Sequence, residues 1–146
     1  MLLSSRQVNY KTPDMNKRAW LVPILIVAIN ALAIIVQWSS LPELLPAHFD
    51  LQGNAGGTMP RSALPFFPLA SAAICLIAYA VARIKQSLQT GLAMLASGIG
   101  LVVFLSTLVT LTAGTMPILM LAEPVVLLIA VVGFVASVVK SRKDRR

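Results

Sequence analysis

The sequence contains few of the side chains on which catalysis usually depends. Among its 146 residues are one histidine, one cysteine and five acidic residues. The single cysteine, Cys75, has no partner for an intrachain disulfide, and within an apolar run it is expected to be a small packing residue. The patterns H-E-x-x-H and G-x-S-x-G and the phosphate-binding P-loop are absent from the sequence. We therefore expect no enzymatic activity, no catalytic residue and no cofactor.

Charge is also scarce. Only 12% of the residues are charged, whereas 58% are hydrophobic. A soluble domain of this length needs a more polar surface, because most of its charged side chains cover the exterior. The length is that of one domain. The composition therefore predicts a single integral membrane domain whose first partner is the lipid bilayer.

Four apolar runs are long enough to cross a bilayer as helices, which takes about 20 residues each. The sequence thus predicts an all-α, polytopic membrane protein with a four-helix domain at residues 19–139. The predicted spans are 19–37, 63–82, 91–113 and 117–139. Around them lie a cytoplasmic tail (1–18), one long outer loop (38–62) and a basic cytoplasmic tail (140–146).

The positions of the basic residues predict the orientation of these spans. With a cytoplasmic N-terminus, eleven Lys and Arg residues lie in inner segments and one, Arg61, lies in an outer loop. This asymmetry favours an N-in, C-in topology under the positive-inside rule. Trp20 and Trp38, at the two ends of the first span, fit an aromatic belt. Because the basic residues flank membrane spans and are not interleaved with aromatic residues, we expect no nucleic-acid binding.

The outer loop, at about 25 residues, is longer than a connector needs to be. Its first part, Ser40-Leu41-Pro42-Glu43, matches the capping box that begins many helices. Pro42 suits an early helical position, and Pro46 discourages continuation of a helix. We predict one helical turn on the membrane surface, with Leu41, Leu44 and Leu45 dipping into it.

His48 and Asp50 follow in the same loop. In an extended segment both side chains point to one face. Asp50 would then either accept a hydrogen bond from the imidazole or begin a turn that reverses at Gly53. Two ligands fall short of the three or four that zinc requires, so no metal site is predicted. Ligand or partner recognition by this pair is the remaining alternative to a structural role.

Glu123 is the one ionisable residue well inside a predicted span. At 1.5 Å per residue it lies about 10 Å below the outer start of span four. Carboxylates at such depths usually face a partner or a water-filled pocket. Its candidate partners are His48, Arg61 and Asn30, a polar residue near the middle of span one. We hypothesise that the loop folds over the bundle, so that His48, Asp50 or Arg61 approaches Glu123 in an outward-facing polar cavity.

The segment LPELLPAHFDLQG resembles the signature L-P-x-x-I-P-x-H-[FW]-[ND]-x-x-G of the domain-of-unknown-function family 1648. The resemblance covers about residues 19 to 83. The matching positions are Leu41, Pro42, Pro46, His48, Phe49, Asp50 and Gly53. It implies a bacterial inner or plasma membrane protein of the kind found at the N-terminus of SdpI-type bacteriocin-immunity proteins, with this loop outside. Where family members often have aspartate and lysine further on, this chain has Gly56 and Arg61.

Two functions remain open at the level of sequence. The first is a non-enzymatic membrane protein whose outer loop senses or binds a peptide ligand or a partner membrane protein, in immunity or signalling. The second is a transporter or channel subunit, acting as an oligomer, with Glu123 and the polar stripe Ser106, Thr107 and Thr110 along its path. Small residues four apart allow close helix packing, within one chain or between copies. These pairs are Ala93/Ser97, Ala96/Gly100 and Gly133/Ser137.

Overall fold

The computed structural model describes residues 17–50, 54–112 and 118–143. The described chain is mostly helical, with four long helices, four short 3-10 turns and one small β-hairpin. The helices are α1 (Leu21–Gln37), α2 (Phe66–Ile84), α3 (Gln89–Leu111) and α4 (Ile118–Lys143). The strands are β1 (Leu44–Pro46) and β2 (Thr58–Pro60).

All four helices are long and apolar enough to cross a membrane. This confirms the prediction of four helices able to span a membrane. Their ends differ by a few residues from those read off the sequence. Many of their large apolar side chains are exposed, among them Ile35, Val36 and Leu76. Lipid would cover such side chains in a membrane, because their exposure to water costs free energy and no interaction compensates that cost.

Helix α3 lies at the centre of the bundle and packs against each of the other three helices, while α1 also packs against α2. Small residues permit these close contacts. A Cβ atom built at Gly98 of α3 would overlap the Cβ atom of Ala130 on α4, and one at Gly91 would lie 3.0 Å from Ser137. A Cβ atom at Gly133 of α4 would likewise lie 2.5 Å from the Met94 methyl carbon on α3, so the predicted small-residue pair Gly133/Ser137 serves packing within the chain.

The segment between α1 and α2 differs from the prediction. Residues Leu44–Pro46 form β1, which pairs antiparallel with β2 in the register Leu45 opposite Met59. The predicted helical turn is therefore wrong, and so is its capping box. The Ser40 hydroxyl donates to the carbonyl of Gln37, and the carbonyl of Glu43 accepts from the backbone N–H of Arg61 across the hairpin.

Candidate functional site

The β-hairpin is anchored on the helix ends by apolar contacts. Leu41 and Leu45 are buried in one cluster with Ile34 of α1 and Leu64, which precedes α2. Met59, Phe67 and Leu111 pack against this cluster. Leu44, whose side chain points the other way along the strand, is 61% exposed. One face of β1 thus holds the hairpin down on the bundle.

A cavity of about 200 Å³ lies between the hairpin and the helix ends nearest to it. The hairpin contributes one wall, and α2, α3 and α4 contribute the others. Its lining residues are Ala47, His48, Phe49, Phe67, Ser106, Val109, Thr110 and Glu123. The structure thereby brings His48 and Glu123, two of the residues singled out in the sequence, to one cavity.

Glu123 projects from the second turn of α4, about 7.5 Å along the helix from its start at Ile118. Its side chain is half-buried. Ser106 of α3 donates a hydrogen bond of 2.8 Å to Glu123 Oε1. In the described part of the chain this hydroxyl is the one polar partner of the carboxylate, so Oε2 has capacity to bind a further donor.

His48 lies against the opposite arm of the hairpin. Its imidazole occupies the space that a Cβ atom at Gly56 would take, and a Cβ atom at Gly57 would lie 3.2 Å from its Cε1. The glycines at these two positions make room for the ring. The imidazole nevertheless remains exposed, at the mouth of the cavity that Glu123 lines.

Asp50 closes the hairpin. Its carboxylate accepts a hydrogen bond of 2.8 Å from the backbone N–H of Asn54 and one of 2.9 Å from the Asn54 side-chain amide. The backbone N–H of Asp50 donates to the Asn54 carbonyl. These contacts support the turn-forming alternative for Asp50. The predicted reversal at Gly53 lies outside the described residues.

Arg61 stabilises the base of the hairpin. Its guanidinium lies 5.4 Å from the centre of the Trp38 ring, a cation–π distance, and donates to the Leu41 carbonyl at 3.4 Å. Pro42 is exposed between the 3-10 turn and β1, and Pro46 ends β1 opposite Thr58. Both prolines lie in the segment that leads from α1 into the hairpin. Arg61, Pro42 and Pro46 do not line the cavity.

Asn30 lies in the interior of the helix bundle and is fully buried. Neither its amide nitrogen nor its carbonyl oxygen has a hydrogen-bond partner among the described residues. The hydroxyl of Ser71, on α2, is likewise buried without a hydrogen-bond partner among the described residues. Asn30 is thus buried where polar groups usually find a partner, but it does not line the cavity that contains Glu123.

Comparison with known proteins gives one match, to a family model. Residues 24–72 match the family model of a domain of unknown function, DUF1648. This confirms the resemblance drawn from the LPELLPAHFDLQG segment. Searches of curated proteins and of solved structures found no match to the chain.

The DUF1648 match begins within α1, includes the whole hairpin and ends within α2. His48, Phe49 and Phe67 fall inside the matched segment, whereas Ser106, Thr110 and Glu123 fall outside it. The cavity is therefore built jointly by the DUF1648 segment and by the two helices that follow. Its two polar ends, the imidazole and the carboxylate, come from different parts of the chain.

The cavity offers chemistry for holding a small polar group. A carboxylate with a spare oxygen, two hydroxyl-bearing side chains and two aromatic rings can surround an ammonium or guanidinium group. No group of three His, Cys, Asp or Glu side chains suited to a metal ion occurs among the described residues. The contribution of Phe67 was not predicted, because an aromatic residue at the start of an apolar span has no distinguishing sequence signal.

Proposed function

We propose that this chain is a non-enzymatic membrane protein that binds a ligand in the cavity between the hairpin and the helices. The observation that carries the proposal is that His48 and Glu123 line one cavity although 75 residues separate them in the sequence. The ligand would be a peptide or a segment of a partner membrane protein. Binding would serve immunity or signalling, the role suggested by the resemblance to SdpI-type proteins.

Glu123 gives the cavity its selectivity in this proposal. A carboxylate inside a membrane span is costly unless a partner compensates its charge. Arg61, a basic residue of the hairpin region, is held by Trp38 and Leu41, away from the cavity. A ligand that brings its own positive charge would supply the missing partner.

The size of the cavity limits what can enter. Pockets for drug-sized ligands usually measure about 300–1,000 Å³. At about 200 Å³, this cavity fits one side chain better than a whole organic molecule. A lysine or arginine side chain of a peptide would place its charge at Glu123 and its aliphatic stem along Phe49 and Phe67.

The distribution of charge supports the cellular setting in the proposal. The basic residues Lys140, Arg142 and Lys143 end α4, Arg83 lies in the last turn of α2, and Lys85 follows that helix. Since basic flanks favour the cytoplasmic side, the hairpin would face the extracytoplasmic side of a bacterial inner or plasma membrane. Both termini would be cytoplasmic, and a peptide from outside could reach the cavity directly.

Photo-crosslinking in intact cells tests this function. A photoreactive amino acid at position 48 lies at the cavity mouth, whereas one at exposed Thr58 on β2 serves as a matched control away from the cavity. We expect position 48 to capture a partner that position 58 does not capture, and we expect Glu123→Gln to reduce its yield. Adducts that are identical at both positions, or formation only of links within the chain, would contradict the proposal.

Transport is the alternative function, and one observation favours it. Asn30 and Ser71 are buried without partners among the described residues. Both lie within about 11 Å, measured along their helices, of the helix ends near the hairpin. A polar path inward from the Glu123 cavity would meet these groups. Ion or proton flux in proteoliposomes that Glu123→Gln abolishes would support transport, and it would require an oligomer because four helices rarely enclose a carrier.

A further inference from the structure

An apolar groove of about 490 Å³ runs along the half of the bundle away from the hairpin. Helix α3 forms its floor with the small residues Ala93, Ser97 and Gly98. Val22 and Ile26 of α1 form one wall, and Ile129 of α4 belongs to the other. Few polar atoms face the groove, so its occupant must be a hydrocarbon.

The length of the groove matches one leaflet of a bilayer. Its lining on α3 extends from Thr90 to Leu101, which is about 16 Å at 1.5 Å per residue. Half of the bilayer hydrocarbon is about 15 Å thick. A single acyl chain lying along α3 would therefore fill the groove from the membrane surface to the midplane.

A polar cavity of about 450 Å³ continues from the end of the groove. The two spaces share Thr90 and Met94 as lining residues. In the polar cavity, Lys140 of α4 lies with the hydroxyl-bearing residues Ser137 and Ser141. Gly133 also lines the polar cavity, where a Cβ atom at this position would lie 2.5 Å from the Met94 methyl carbon.

More positive charge surrounds this end of the groove. A neighbouring cavity of about 630 Å³ shares Ser87 and Ser141 with the polar cavity. Lys85 and Arg142 also line it. On the α1 side, Lys17 and Arg18 immediately precede Ala19, which lines the groove. Basic residues thus lie in the 3-10 turn before α1, on the connection between α2 and α3, and on α4.

We propose that this groove and the polar cavity that contains Lys140 together bind one anionic phospholipid. Its phosphate would lie at Lys140, Ser137 and Ser141, and one acyl chain would lie along α3. Basic pockets between membrane helices suit anionic headgroups, and hydroxyl groups add hydrogen bonds to phosphate oxygens. The site is separate from the cavity beneath the hairpin, so the two proposals can fail independently.

Native mass spectrometry of the full-length protein in detergent tests the site. Phosphatidylglycerol and phosphatidylcholine with the same acyl chains are added in equal amounts. We expect phosphatidylglycerol to be retained at one molecule per chain in preference to phosphatidylcholine. Lys140→Gln should weaken its retention about fivefold, which corresponds to about 1 kcal/mol per basic residue. Lys143→Gln is the matched control, since Lys143 is exposed on the same helix end and lines neither cavity.

A second pair of variants tests the acyl-chain groove without changing charge. Val22→Trp would fill the groove from α1, whereas the adjacent Leu21→Trp would point a ring outside it. We expect the first variant to lose lipid retention and the second to keep it. Equal retention of the two lipids, equal loss in Lys140→Gln and Lys143→Gln, or binding of glycerol phosphate as strong as that of the lipid would overturn the proposal.

Discussion

Ser106 on α3 donates a 2.8 Å hydrogen bond to the carboxylate of Glu123 on α4. This bond joins the two helices at the cavity that Glu123 lines. Because the donor is an uncharged hydroxyl, this contact is a hydrogen bond and not an ion pair. Oε2 has no polar partner among the described residues, so it can accept a further hydrogen bond.

Removing this hydrogen bond should cost little stability. We expect Ser106→Ala to lower the free energy of unfolding by about 0.6 kcal/mol, the average for interhelical hydrogen bonds in a membrane. The control is Ser97→Ala, because the Ser97 hydroxyl bonds the Ala93 carbonyl of its own helix. Reversible unfolding in mixed detergent micelles measures both variants, and an equal effect of the two would contradict a specific link between α3 and α4.

The close contact between Gly98 and Ala130 should determine the separation of α3 and α4. Gly98→Ala would place two Cβ atoms in overlap, and overpacking of this kind costs about 1–3 kcal/mol. We expect the loss in unfolding free energy to be restored by the second change Ala130→Gly. Gly100→Ala is the control, since the nearest atom to a Cβ there is Cγ2 of Ile26 at 3.3 Å, a contact that a shift of a few tenths of an ångström relieves. Failure of Ala130→Gly to rescue would contradict the contact.

The position of the His48 imidazole should depend on the absence of a side chain at Gly56. We expect Gly56→Ala to displace the ring and to loosen the hairpin, where the Gly56 N–H donates to the His48 carbonyl at 2.8 Å. Amide hydrogen exchange over residues 47–57 should become about fivefold faster, equivalent to about 1 kcal/mol of local stability. In a His48→Ala background the same glycine change should have little effect, because the methyl group then has space. Additive effects of the two changes would be evidence against the packing described.

Asn30 should be replaceable by an apolar residue. Its amide group is fully buried without a partner among the described residues, and such groups cost about 1–3 kcal/mol. We therefore expect Asn30→Leu to leave the free energy of unfolding unchanged or to raise it by about 1 kcal/mol. A clear loss of stability would indicate that the amide binds water or another polar partner, as the transport alternative requires.

The four helices were predictable because their signal is physical and local. A run of about 20 apolar residues has one stable arrangement in a bilayer, and this argument does not depend on neighbouring segments. The bundle interior was less predictable. Trp20, expected in an aromatic belt at the lipid surface, is buried with an edge-to-face contact to Tyr79 at 5.1 Å between ring centres. Which side of an almost uniformly apolar helix faces its neighbours is decided by packing alone.

The hairpin was not predictable from local patterns. The segment around Leu41 to Pro46 matches a helix start, but pairing with residues 58–60 and burial of Leu45 determine its conformation. A strand partner more than ten residues away outweighs a local propensity of about 1 kcal/mol. The proximity of His48 and Glu123 was inferred from chemistry, since both are unusual in so apolar a chain. The arrangement of these two residues depends on how the hairpin packs against the helices, which the sequence does not show.

The charge preference of the cavity is the most direct test of the account. Thr110 lines the cavity, and in a Cys75→Ser background Thr110→Cys provides one thiol there. Small impermeant thiol reagents of opposite charge are applied from outside intact cells, with Thr58→Cys as the exposed control. We predict that the cationic reagent reacts at position 110 about tenfold faster than the anionic one, equivalent to about 1.4 kcal/mol, and that Glu123→Gln removes the preference. No labelling from outside, or a preference that Glu123→Gln leaves unchanged, would contradict an outward-facing cavity whose charge is that of Glu123.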